Sequence, residues 1–179
     1  KAARLDSGNR LLWRQNPRRL DAEAIRDSVL SVTGKLNPER GGPGFRDFEY
    51  KEAYAPIYTY VTPDKPELWK RSIYRFIVRT TPHKFLTTLD CPDPASLTPV
   101  RNRTTTPLQS LAMLNNEFML KQAGYFSERI KADAGDDAER QVSRAFELAF
   151  SRAPVQTELQ AAARLIRERG LFDLCRMLL

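Results

Sequence analysis

Apolar residues recur at two periods along this chain, and the changes of period outline its organisation. From Asp21, the positions Ala22, Ile25, Val29 and Val32 fall at helical spacing with Gly34 beyond them, which predicts a helix from about Asp21 to Thr33. Asp21 suits the N-cap, and Glu23 in the first turn complements the positive end of the helix dipole. Ahead of it, Leu11-Leu12-Trp13 and Arg18-Arg19-Leu20 read as a short helix or turn that packs its apolar side on the core, with Trp13 as an anchor. Asn37 to Gly44 holds Asn37-Pro38 and Gly41-Gly42-Pro43-Gly44, a breaker cluster that reads as a loop. An aromatic-rich stretch runs from Phe45 to Trp69, with Ile57 to Val61 as a short strand and Thr62-Pro63-Asp64 as a turn. The period then becomes two. Tyr74, Phe76 and Val78 alternate with Arg75, Ile77 and Arg79, which predicts a strand from Ser72 to Thr80 paired antiparallel with Ile57 to Val61.

Thr81 to Pro99 carries four prolines and should wrap the surface. Beyond it the helical period returns. Helices are expected from Pro107 to about Leu114, from Asn116 to near Gly135, from Asp137 to about Phe150, from between Val155 and Glu158 to Gly170, and from Leu171 onward. The fold class expected is mainly α: a helical bundle with a minor antiparallel β-hairpin and long Pro-rich loops. One domain over 1–179 is expected, with a helix, a small β element and loops in 1–100 and the bundle in 101–179. Because it starts at Lys1 and stops inside the apolar pattern Gly170 to Leu179, the chain is expected to be cut at both ends from a longer parent.

Candidate chemistry concentrates where Arg101-Asn102-Arg103-Thr104-Thr105-Thr106-Pro107-Leu108-Gln109 meets the start of a helix. Thr106 and Gln109 have the spacing of a capping box, and Pro107 suits the first helical position. Arg101, Arg103, Thr104 and Thr105 are candidate ligand-binding residues, since arginines, hydroxyls and a helix N-terminus together favour an anion. The competing expectation is that Thr106 and Gln109 satisfy the helix start while Arg101 and Arg103 pair with carboxylates such as Asp90 or Asp93. Those two aspartates, in Asp90-Cys91-Pro92-Asp93-Pro94, are also a candidate carboxylate pair, against the commoner use of Asp in capping turns. Arg26 and Asp27, in mid-helix, are expected to form structural ion pairs with nearby loops.

Composition narrows this picture only a little. The net charge is +7, which permits nucleic acid, acidic polysaccharide or an anionic surface without choosing among them. Of the 29 basic residues 21 are arginine, interleaved with acidic ones, the usual pattern of structural ion pairs. No apolar run is long enough for a membrane span. Cys91 and Cys175 stand in no paired motif and read as small buried hydrophobes, with a single bridge between them left open. His83 is the only histidine, so a zinc site or a Ser-His-Asp triad would depend on it alone, and no metal site is expected.

Four segments in order resemble one family: Arg19-Leu20-Asp21-Ala22-Glu23-Ala24-Ile25-Arg26-Asp27, Arg71-Ser72-Ile73-Tyr74-Arg75-Phe76, Asp90-Cys91-Pro92-Asp93-Pro94, and Arg101 to Gln109 followed by Leu114-Asn115-Asn116. Together they resemble the domain of unknown function 1553, found in large proteins of planctomycetes and related bacteria. The likeness covers essentially the whole chain, without the family's front portion and its extreme C-terminus, and Glu117 stands where many members have proline. It implies an exported, periplasmic or cell-envelope parent with several domains, often including a planctomycete-type cytochrome c domain. Any haem would belong to that other domain, since Cys-x-x-Cys-His is absent and no cofactor is expected in this chain. The resemblance brings no established activity and no catalytic residues.

The leading expectation is therefore a noncatalytic module that docks against neighbouring domains or holds an extracellular ligand. An enzyme or enzyme subunit acting on acidic polysaccharide, with Asp90, Asp93, Arg101 and Arg103 lining a cleft, is the alternative. Nucleic-acid binding, which would have to weaken as salt rises, stands third.

Overall fold

The computed structural model describes residues 2–62 and 65–179, with the side chain of Ala3 left aside. The predicted Thr62-Pro63-Asp64 turn lies in part outside the described residues. The elements in order are α1 (Ala2–Leu5), α2 (Ala22–Val32), β1 (Phe48–Lys51), β2 (Ile57–Tyr60), α3 (Lys84–Thr88), α4 (Pro107–Asn115), α5 (Glu117–Ala134), α6 (Ala138–Phe150), α7 (Gln156–Arg169) and α8 (Leu171–Leu178), with 3-10 turns at Pro66–Leu68 and Ser72–Tyr74. The architecture is mainly α with one small antiparallel hairpin.

Helix α5 organises the bundle. Its buried face passes through two apolar groups in turn, and a third joins α6, α7 and α8 beyond it. Met119 joins Ala22 and Val29 of α2 and Phe85, Leu86 and Leu89 of the α3 region. Ala123, Phe126 and Ile130 meet Ala145 of α6 and Cys175 of α8. Val142 and Phe146 of α6 close on Ala162 and Ala163 of α7 and Leu174 of α8. Local chemistry sets the helix ends. Asn116 caps α5 by accepting from the Phe118 N–H, and Asp137 caps α6 by accepting from the Arg140 N–H. Gly135 and Gly170 follow α5 and α7 with φ of 69° and 97°, where a side chain would be strained. Cys91 and Cys175 are unbridged, and burial pushes their thiols up to about 11 and about 12.

Three expectations fail in the first half. Thr81 to Pro99 does not simply wrap the surface, since α3 forms within it and Phe85, Leu86 and Leu89 join the core; the other two concern a strand and the N-terminus. Ser72 to Thr80 is not a strand: β2 pairs instead with β1, in the register Phe48↔Tyr60 to Lys51↔Ile57. The reason is a tertiary capture. The Asp27 carboxylate accepts from both the N–H and the hydroxyl of Ser72, at 2.8 and 2.7 Å, and the chain winds there into a 3-10 turn. The predicted pairing with Ile57 to Val61 does not form; the segment makes instead one parallel bridge, Phe45 against Arg75, with hydrogen bonds of 3.0 and 2.9 Å. Gly44 permits it, because a Cβ there would stand 2.8 Å from the Tyr74 carbonyl oxygen. The other failure is at the N-terminus. Leu11 and Leu12 are more than four-fifths exposed, and Trp13, half open to solvent, donates its indole N–H to the Asp6 carbonyl rather than anchoring in the core.

Candidate functional site

The arginine-rich loop is folded inward on itself. Thr106 and Gln109 form the predicted capping box, at 3.3 and 3.1 Å. The Asp90 carboxylate accepts from the Thr104 N–H at 2.8 Å, from its hydroxyl at 2.9 Å, and from the Arg19 guanidinium, which also donates to the Thr104 carbonyl. These donors, the Thr104 N–H first, hold the Asp90 carboxyl down to about 2 against the opposing effect of burial. Arg101 forks onto Glu23 at 2.8 and 2.9 Å, and Arg103 lies 3.8 Å from Asp21. The pairing lowers the Glu23 carboxyl and raises the Arg101 guanidinium. The arginines thus choose the carboxylates at the start of α2, not Asp90 or Asp93. Asp93 turns the other way, accepting from the Ala95 N–H at 2.9 Å and the Ser96 hydroxyl at 3.3 Å, so the two aspartates serve separate turns. Thr105 is exposed beside them.

A second concentration of polar groups lies under the β-hairpin. There a cavity of about 430 Å³ opens between β2, the Thr81–Phe85 segment and the first turns of α5. At its inner wall sits Asp47, whose Oδ2 accepts from Arg75 Nε at 2.8 Å and lies 3.6 Å from His83 Nε2. The other oxygen, Oδ1, is buried and has no hydrogen-bond partner. His83 caps α3, its Nδ1 accepting from the Leu86 N–H at 3.4 Å. Burial, reinforced by Arg75, pushes the His83 imidazole down to about 4, so it is neutral at pH 7. A neutral ring that accepts at Nδ1 carries its proton on Nε2, the atom facing Asp47. Nδ1 is occupied by the Leu86 N–H and Nε2 carries the proton, so in this state the ring offers no free lone pair to a nucleophile.

Tyr60 stacks on His83 with ring centroids 4.6 Å apart and donates its hydroxyl to the Thr81 carbonyl at 2.5 Å; burial raises its phenol. Deeper in, the buried Arg26 guanidinium donates to the carbonyls of Leu68 and Lys70 at 2.6 and 3.0 Å and to the Ser72 hydroxyl at 3.2 Å, with Asp27 at 3.4 Å. It also lies 5.1 Å from the Phe45 ring centroid and 5.8 Å from that of Phe118. Among the described residues, no three His, Cys, Asp or Glu side chains converge, and no helix is long and apolar enough to cross a membrane.

The model of the PSD1 family, described as a protein of unknown function (DUF1553), matches residues 1–166. The chain belongs to this family. Neither the curated proteins nor the solved structures contain a match.

Within this PSD1 domain the structure brings together groups that the sequence leaves scattered. Arg26, Asp27 and His83 were open to inspection as unusual residues, and the arginine and aspartate pair with each other and with the 68–72 loop. Asp47 and Arg75 were not singled out. The arginines alternating with Tyr74, Phe76 and Val78 were a signal for Arg75, whereas nothing near Asp47 in the sequence marks it.

Proposed function

We propose that this PSD1 domain is a noncatalytic module of an exported bacterial protein with several domains, and that it docks against a neighbouring domain of the same protein. The observation that carries this reading is the row of leucines that α4 turns to solvent, while its Ala112 and Met113 pack on the core. Its Gln109 is 7% exposed, while Leu108, Leu111 and Leu114 stand 64%, 58% and 43% exposed. A helix normally buries its apolar side. Here the leucines face outward, and Leu114 continues into a groove of about 600 Å³ with Leu20, Met113 and Met177 of α8. Apolar surface of this kind marks interaction sites. The occupied Nδ1 of His83 and the separate duties of Asp90 and Asp93 support a noncatalytic role. Export, and a cytochrome c domain as the neighbour, follow from the resemblance described above.

The experiment is to supply the rest of the parent protein in trans and measure its association with this domain. Replacing Leu108, Leu111 and Leu114 together with Ser should weaken association by about tenfold or more, since several apolar side chains lose their burial. The melting temperature should hold, because all three already face water. Association unchanged by the triple substitution overturns the reading.

A further inference from the structure

We propose that the cavity beneath the β-hairpin is a binding site for a neutral saccharide ring. The inference is independent of the docking face, which lies on α4 and α8 and shares no lining residue with this cavity.

Three observations converge. The first is shape: about 430 Å³ falls in the roughly 300–1,000 Å³ range of small-molecule sites. The second is the wall. Tyr58, Tyr60, Trp69, Phe118 and Tyr125 all line the cavity, presenting flat apolar rings with polar edges on two of its sides. Trp69 and Tyr125 are held edge to face at 5.9 Å, and Lys35 lies 4.1 Å from the Tyr125 ring centroid, which fixes that wall before any ligand arrives. The third is the balance of polar groups. Arg26 is answered by Asp27 and three further oxygens, Arg75 by Asp47, and Lys121 by Glu117 at 2.9 Å. The remaining lining cation, Lys84, is exposed to solvent, so the inner part of the cavity has little field left to select an ion. What remains there are hydrogen-bonding groups without a net charge to match, among them the Thr62 hydroxyl, the Tyr58 phenol and the Asn116 amide.

An anion is a poor occupant, since the inner cations Arg26, Arg75 and Lys121 are already answered by carboxylates. A cation would have to compete with Arg75 for Asp47 and sit near Arg26. A pyranose fits the remaining requirements: its C–H face covers an aromatic ring, and its hydroxyls donate at the edge where the oxygens and the amide lie.

Trp13 and Trp69 are the two tryptophans, so the Trp13→Phe protein reports on the cavity wall through Trp69 fluorescence. The probes are neutral gluco-, galacto- and xylo-oligosaccharides, with sulfated oligosaccharides of the same length alongside. A saturable change with at least one neutral sugar, and none with its sulfated counterpart, is the expected result. Tyr58→Ala, a change at the half-exposed rim, should weaken that binding by about tenfold, with folding checked by circular dichroism. No saturable response to any neutral sugar, stronger binding of the sulfated series, or equal binding by Tyr58→Ala overturns the proposal. The Leu108, Leu111 and Leu114 triple variant should bind sugar normally, so this site can fail without the docking reading failing, and the reverse.

Discussion

Arg26 and Phe126 are both buried on helices, yet they hold their surroundings by opposite means. Phe126 is fully buried among Ala123, Ile130, Ala145 and Cys175, where α5, α6 and α8 interlock through apolar side chains. Arg26 is nearly as buried, but it organises backbone: its guanidinium gathers the carbonyls of Leu68 and Lys70, while its neighbour Asp27 gathers Ser72. The bundle is thus ordered by area removed from water, which is tolerant of detail. The first half, with a two-stranded hairpin and long loops, lacks that area and is ordered by charged side chains that satisfy loop peptide groups. Burial opposes the Arg26 charge and lowers its pKa, so this order depends on all of its partners being in place.

The sharpest test sets the two residues against each other. Phe126→Ala leaves a cavity, and Arg26→Ala leaves the Leu68 and Lys70 carbonyls without their side-chain donor and Asp27 without its buried cation; each should cost about 3–5 kcal/mol. Hydrogen exchange should separate them. Arg26→Ala should speed exchange around residues 68–76 while the α5 amides stay protected, and Phe126→Ala should speed exchange in α5, α6 and α8 first. If both substitutions raise exchange uniformly, the two halves unfold as one unit and the contrast fails.

The same contrast explains what could be read from the sequence. The bundle was accessible because its signals are local: Thr106 with Gln109, Asn116, Asp137, Gly135 and Gly170 punctuate helices within a few residues of the groups they satisfy. In the first half the deciding partners are remote. Ser72 to Thr80 alternates like a strand, but Asp27, 45 positions before Ser72, turns it into a 3-10 turn and leaves β2 to pair with β1. Arg101 was expected on Asp90 or Asp93, 11 and 8 positions away, and instead takes Glu23 across 78 positions. Spacing carries no information about such contacts. The cavity was hidden for the same reason, since Asp47, Arg75 and His83 meet only once the loops are clamped.

A smaller effect should come from pH. Asp90 has its carboxyl held at about 2 against an ordinary 3.8, so its interactions add stability that is complete above about pH 4 and is lost as pH falls toward 2. Asp90→Asn should therefore lower the melting temperature at pH 6, and the gap from the native protein should close between about pH 4 and pH 2. A gap that stays constant down to pH 2 would show that Asp90 acts through shape alone. The loss should begin in the tether between Arg19 and the Thr104 loop, leaving the buried face of α5 intact.

The smallest effect is expected from Arg101 and Arg103, which tie the start of α4 to the start of α2 across the seam between the halves. Both side chains are about half exposed, and water screens pairs of this kind to at most about 1 kcal/mol. Replacing both with Ala should change stability by less than about that amount, even though Arg101 makes a two-pronged contact with Glu23. The loop also bears on anion binding. The α4 N-terminus already has its donor at Gln109 satisfied by Thr106, and the Thr104 N–H is given to Asp90. An added sulfate would have to displace carboxylates that the loop already holds. Calorimetric titration with sulfate or a sulfated oligosaccharide should give the same heat, or none, with the native protein and with the double variant. Saturable heat in the native protein that disappears on removing both arginines would show that the loop exchanges its internal carboxylates for an external anion. The seam between the halves would then be a binding site in its own right.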